Sequence, residues 1–279
     1  MNLETLLLDV DSGVTKITLN RPNKKNAMNP RLHIEITDLL ERLRDDDNVR
    51  VLVITGAGDA FCAGMDLKEF FHDLKIKNPP EFRRIFRLAT EWRGRTLRYY
   101  PKPTIAMVNG FCFGGAFSIV EGCDLAVAAN EATFGLSEIN FGGFPGGSVS
   151  KSLANIMHPR DALLFAMTGR TFNGKEAAEM KFVNSSMPLE DLNRHTMALA
   201  REISAKDPAA LRACKDAFRH SLDMGWEASV SYTEAREDQV YMALGDAQIA
   251  RSSLFRARRP RSPMPLFPAS IPPDFRGFC

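Results

Sequence analysis

Three short stretches carry residue types and spacings that could do chemistry. ATFGLSEINFGGFPGG (132–147) holds Glu138 in an apolar loop flanked by glycines. A carboxylate there is costly unless it is paired or used, and a carboxyl in such surroundings can have a raised pKa and serve as acid and base in turn. A surface position or a helix cap is the plainer reading of a lone loop glutamate. MVNGFCFGGAFSIVEGCD (107–124) reads as a strand that meets Gly110, Gly114 and Gly115 and then starts a helix. Such a turn leaves backbone N–H groups uncovered at the positive end of the helix, a place to hold an anion or an oxygen that becomes one. FCAGMDLKEF (61–70) is a second glycine-bearing turn, where Ala63-Gly64-Met65 presents another N–H at a helix start. Two turns from separate strands that converge on one oxygen make an oxyanion hole of backbone. Two that do not are merely tight turns.

Other chemistries fail on spacing. The glycines at 110, 114 and 115 do not spell G-x-G-x-x-G, and no Gly-Lys-Ser/Thr follows them. Ser118 lies in AFSIV rather than in the G-x-S-x-G of a nucleophile elbow. The five histidines fall in no catalytic or ligand pattern, and the five cysteines include no CxxC. Neither a metal centre nor a structural zinc site is expected.

The elements that must position these stretches follow from periodicity. LETLLLDV and VTKITLN flank Asp11-Ser12-Gly13 as an opening hairpin, and Pro30 to Asp45 reads as a helix with Leu32, Ile36, Leu39, Leu40 and Leu43 on one face. Arg83 to Tyr100 reads as helical and is stopped by Pro101 and Pro103. VLVITG, TIAMVNG and DLAVAA are three similar buried strands, each leading into a loop or helix, which suggests stacked strand-and-helix units rather than one open sheet. Ser148 to Leu244 is mostly helical, with breaks at Pro159, Gly174, Pro188, Pro208 and Gly225.

At 279 residues, with 44% hydrophobic and 25% charged, the chain has the make-up of a soluble globular protein with a large core. A net charge of +2 does not suit a dedicated nucleic-acid binder, although six arginines against one aspartate lie from Arg251 onward. The last twenty residues hold six of the sixteen prolines and no helix or strand period. The expected organisation is a core over 1–190, a helical region over 191–250 and an extended or disordered tail over 251–279. No secretory signal or membrane-length apolar run is expected, and a reducing cytoplasm is the expected compartment.

RPNKKNAM (21–28), ITGAGDAFCAGMDL (54–67), KPTIAMVNGFCFGGAF (102–117), CDLAVAANEATFGLSEINFG (123–142) and FPGG (144–147) together resemble the crotonase, or enoyl-CoA hydratase, superfamily. The similarity continues through MTGRTFNGKEAAEMKFVN (167–184) and fades near Gln239. The resemblance implies an α/β crotonase spiral of ββα units with a helical C-terminal region that mediates trimer contacts, in a homotrimer or a hexamer. It also implies that the N–H groups of Met65 and Gly115 hold the thioester oxygen of an acyl-CoA. Loss of one such donor costs about 3–4 kcal/mol of barrier in comparable sites. Coenzyme A enters as part of the substrate and no separate cofactor is implied; its contacts carry over to Lys24, Ala63, Gly64, Asp66, Leu67, Lys68 and Gly142.

Ordinary members of this superfamily place glutamates at the positions of both Ser118 and Glu138. Serine at the first, with AGMDLKE and GLSEIN nearby, is similar to the hydroxycinnamoyl-CoA hydratase-lyases. These add water to a feruloyl- or coumaroyl-CoA and cleave the adduct to an aromatic aldehyde and acetyl-CoA. The resemblance then casts Glu138 as acid and base and Ser118 as a hydroxyl that orients water. It places Phe70 and Glu234 in the acyl pocket, where such enzymes are expected to carry two tyrosines. A hydratase or isomerase for another acyl-CoA is the alternative enzyme. A crotonase-fold protein that binds coenzyme A or RNA with little catalysis is the alternative of another class.

Overall fold

A computed structural model describes residues 3–257. The opening hairpin forms as its sequence dictates: β1 (Leu6–Asp11) and β2 (Val14–Leu19) pair antiparallel with Asp11 opposite Val14. The two turn residues Ser12 and Gly13 both take positive φ, 52° and 83°, which matches the right-handed twist of the flanking strands. Asn29 then caps α1 (Pro30–Arg44), its side chain accepting the Leu32 N–H at 3.0 Å. The leucines and Ile36 of the expected face are buried.

From there the chain alternates between two sheets. β3 (Val51–Gly56) is followed by β4 (Ala60–Cys62), β5 (Thr104–Val108) by β6 (Phe111–Phe113), and β7 (Leu125–Ala129) by β8 (Thr133–Gly135). The first of each couple enters a six-stranded sheet of order β1-β2-β3-β5-β7-β10, and the second a four-stranded sheet of order β4-β6-β8-β9. Each repeat therefore advances both sheets by one strand, the spiral that the three similar strands suggested. β3 and β5 are buried at every position, which is why they read as continuous apolar runs.

Between β4 and β5 lie a π-helical segment (Leu67–Leu74), α2 (Lys75–Lys77), α3 (Pro79–Glu91) and a π turn (Trp92–Thr96). α4 (Phe117–Gly122) follows the glycine turn and is wholly buried. The helical half comprises α5 (Val149–Ile156), α6 (Pro159–Thr168), α7 (Gly174–Glu179), α8 (Leu189–Ser204), α9 (Pro208–Ser221) and α10 (Trp226–Ala257). Pro159 and Pro208 act as helix starts, at the first turn where a missing N–H costs nothing. Two short strands, β9 (Thr171–Asn173) and β10 (Ser185–Met187), complete the sheets. At three residues each they show no period that a sequence reading could detect.

One boundary is corrected. α10 continues through residue 250 to Ala257, because SSLFRA contains good helix formers and no proline occurs before Pro260. The rest of the expected tail, 258–279, lies outside the described residues. No described helix is long and apolar enough to cross a membrane.

Candidate active site

The two glycine turns meet. A β-carbon on Gly64, whose φ is 89°, would lie 2.8 Å from the Phe113 carbonyl oxygen and 3.4 Å from the Gly115 nitrogen. Only glycine permits both that φ and that approach. A parallel bridge pairs Met65 with Met28 through the Gly64 carbonyl (2.7 Å) and the Asp66 N–H (3.0 Å). In such a bridge the N–H of Met65 itself points away from Met28. Gly115 is the second residue of a 3-10 turn, Gly114–Ala116, so its N–H has no partner within the turn. Two uncommitted donors thus stand side by side on separate strands' ends.

Glu138 reaches the same place from the turn Ser137–Phe141 that follows β8. A β-carbon on Gly114 would be 2.9 Å from its Oε1, while its Oε2 is buried without a hydrogen-bond partner. Burial lifts the carboxyl above the usual carboxylate range, opposed by its own backbone N–H. The donors and the carboxyl share a cavity of about 320 Å³ walled by Phe71, Phe86, Phe113, Phe141 and Phe144, with Thr90, Arg93 and Ser148 as further polar groups. A larger cavity of about 530 Å³ lies elsewhere, under α9. Its carboxylates, Glu121 and Asp124, are both engaged in ion pairs, so neither is an uncommitted carboxyl like Glu138.

Of the other expected site residues, Ala63, Gly64 and Leu67 line the same cavity. Ala63 donates its N–H to the Lys25 carbonyl at 2.9 Å, which sets Lys24, exposed on the adjoining turn, near the mouth. Lys68 is exposed at the start of the π-helical segment, and Gly142 ends the Glu138 turn with φ 73°. Neither lines the cavity.

Four placements differ from expectation. Asp66 is not free for a ligand: its carboxylate accepts from the N–H groups of Lys68 (3.1 Å) and Glu69 (2.8 Å) and pairs with Arg21 at 2.9 Å. Phe70 is fully buried behind the site against His33 and Phe82, and its neighbour Phe71 lines the cavity instead. The π-helical turn, with its i to i+5 spacing, rotates which of two adjacent aromatics faces in. Ser118 is fully buried, and its Oγ lies 2.8 Å from the Oγ of Ser148, so Ser148 carries the hydroxyl that reaches the cavity. Glu234 is exposed on α10 and forms no part of the cavity wall.

Sequence reading missed Arg93 and Ser148. Arg93 is one of six arginines between 83 and 98, and only the π turn at Trp92–Thr96 selects it to point inward. Ser148 follows two glycines at the very start of the stretch that reads as mostly helical, with nothing in its spacing to mark it. Beneath them, burial holds His33 far below its usual pKa, and the Trp92 Nε1–H donates to its Nδ1 at 3.0 Å.

Known proteins share this sequence and fold. The chain is 48% identical over 236 residues to a protein from Pseudomonas fluorescens named hydroxycinnamoyl-CoA hydratase-lyase, covering 85% of this chain and 86% of that one. A crystal structure of an enoyl-CoA hydratase subunit I from Geobacillus kaustophilus superposes with a TM-score of 0.82 at 29% identity, covering 94% of this chain and 98% of that one. An enoyl-CoA hydratase from Mycobacterium smegmatis gives 0.83 at 28% identity, covering 92% and 98%. The sequence profile of the family described as enoyl-CoA hydratase/isomerase matches residues 9–253. Profile, spiral and paired glycine turns agree: the chain belongs to the enoyl-CoA hydratase/isomerase family.

Proposed function

We propose that the protein hydrates a hydroxycinnamoyl-type acyl-CoA and cleaves the adduct to an aromatic aldehyde and acetyl-CoA. The observation that carries this reading is one half-buried carboxyl, Glu138, whose inner oxygen has no hydrogen-bond partner, facing two free backbone donors in a cavity walled by five phenylalanines. Such a wall favours a flat aromatic acyl group. The Pseudomonas fluorescens relative is named for that activity.

Met65 and Gly115 N–H groups hold the thioester oxygen. Glu138, as carboxylate, takes a proton from water while the water oxygen bonds to Cβ, and the electron pair of the double bond moves to the thioester as an enolate. Glu138 returns the proton to Cα, which gives the β-hydroxy thioester. In the second step Glu138 removes the hydroxyl proton, the Cα–Cβ bond breaks and the aldehyde leaves. The pair from that bond forms the acetyl-CoA enolate on the same two donors, and Glu138 protonates its carbon. A raised pKa serves both halves, since the carboxyl must hold a proton as well as take one. Ser148, braced by Ser118, orients the water. Ala63, Gly64 and Leu67 contact coenzyme A, with Lys24 and Lys68 toward its phosphates.

Unbridged Cys62, Cys112 and Cys123 suit a reducing cytoplasm. The exposed Leu163, Leu164 and Met167 on α6 suit a subunit contact in a homotrimer, which light scattering would test. Incubation with feruloyl-CoA and, separately, crotonyl-CoA tests the activity. Vanillin and acetyl-CoA from the first are expected; hydration of crotonyl-CoA alone would move the substrate to simple enoyl thioesters.

A further inference from the structure

Among the described residues three arginines are deeply buried: Arg93, Arg98 and Arg219. Arg98 and Arg219 face carboxylates. Arg93 has no ion pair among the described residues. Its Nε donates to the Ala89 carbonyl at 2.9 Å and its Nη1 to the Gly115 carbonyl at 3.0 Å. A buried guanidinium without a counter-ion is rarely retained, because desolvation is not offset. Burial does pull its pKa down, to about 10, and that still leaves it protonated at neutral pH. Nor does an ion pair join it to Glu138, whose Oε2 is buried without a hydrogen-bond partner.

The location says what the missing anion is. Nη1 would touch a β-carbon on Gly115 at 2.6 Å, and the same point lies 3.5 Å from the Met65 Cγ. The charge therefore sits beside Gly115 and Met65, the residues that carry the two N–H donors, in the wall of the same cavity. We propose that Arg93 is the standing positive charge of this oxyanion site and that its counter-ion is the enolate formed during the reaction. The neutral substrate gains little from that field, whereas the enolate gains its full Coulomb attraction in a site sheltered from water. Arg93 thus acts through space, and the N–H groups make the contact. The proposal rests on the acyl-CoA reading of this cavity and is indifferent to which acyl group is used.

The test compares Arg93→Gln, which keeps an N–H for the Gly115 carbonyl without the charge, with Arg93→Lys, which keeps the charge. Two readouts are taken on the full chain. One is the absorption of bound cinnamoyl-CoA, which shifts to the red as its thioester carbonyl is polarised. The other is the exchange of acetyl-CoA methyl hydrogens with heavy water, which reports enolate formation without carbon–carbon cleavage. The wild type should show both. Arg93→Gln should lose the red shift and slow exchange on the order of 10- to 100-fold, with a far smaller change in the dissociation constant. Arg93→Lys should recover most of both. If Arg93→Gln keeps the wild-type shift and exchange, the guanidinium only props the Gly115 carbonyl and the proposal is wrong. A wild type with neither signal would also overturn it. Failure of feruloyl-CoA to yield aldehyde would strike the substrate assignment alone, since both readouts omit that step.

Discussion

Arg93 and Arg98 lie close together in one segment and are buried to the same degree, yet they do opposite work. Arg98 ion-pairs with Glu121, whose carboxylate also receives Asn155 at 3.2 Å and lies 3.6 Å from Arg219. Asp124 joins in through Lys215 at 2.8 Å and Arg219 at 3.6 Å. Arg219 and Lys215 come from α9, so this paired cluster bolts the helical half to the spiral. Arg93 has carbonyls for company and a cavity in front. The difference teaches that charge burial alone does not mark a functional site. What marks it is burial with the opposite charge left out. Glu138 is the same case with the sign reversed.

The comparison can be broken at either end, and the unpaired end should give the largest effect. Glu138→Gln should lower the rate of aldehyde release roughly a thousandfold, about 4 kcal/mol of barrier. It should not weaken the fold. With its native pKa raised above the unfolded value, Glu138 contributes most to stability when protonated, and that contribution is lost as pH rises through the native pKa. The melting temperature of Glu138→Gln relative to wild type should therefore climb as pH rises from the ordinary carboxyl range through the raised native pKa, and level off above it. A flat difference would mean that the carboxyl is solvated.

Next in size is the paired end. Arg98→Met strands Glu121 against a reduced set of partners and should cost about 3 kcal/mol of stability by urea denaturation. An unchanged midpoint would dissolve the contrast. Ser148→Ala should slow hydration roughly tenfold while leaving the melting temperature near that of wild type. If Ser118→Ala has the larger kinetic effect, Ser118 reaches the substrate by itself. The smallest effect sharpens the comparison most: Arg93→Met should leave stability unchanged or raise it by about 1 kcal/mol, because it removes an uncompensated buried charge. A loss of stability would make Arg93 a structural residue.

Much of the site was legible in the chain itself. Gly64, Gly114, Gly115 and Glu138 stood out as candidates because glycine turns and an isolated carboxyl in apolar surroundings are written locally, although unrelated turns and a surface glutamate fitted the same pattern. The hairpin, α1 and the three buried strands were equally legible, since periods of two and 3.6 are local too. The sequence could not choose between Phe70 and Phe71, between Ser118 and Ser148, or among six arginines. Each choice turned on a π-helical rotation or on a neighbour far along the chain. Nor could it show that the two glycine turns meet, because that depends on β4 and β6 pairing across fifty residues.

By itself, then, the sequence determined which groups were available: backbone donors at glycine turns, one acid and an aromatic supply. Tertiary structure decided which charges were neutralised. Arg98 and Arg93 look alike in one dimension. Pairing is a property of distance in space, and electrostatic energy falls with that distance, not with separation along the chain.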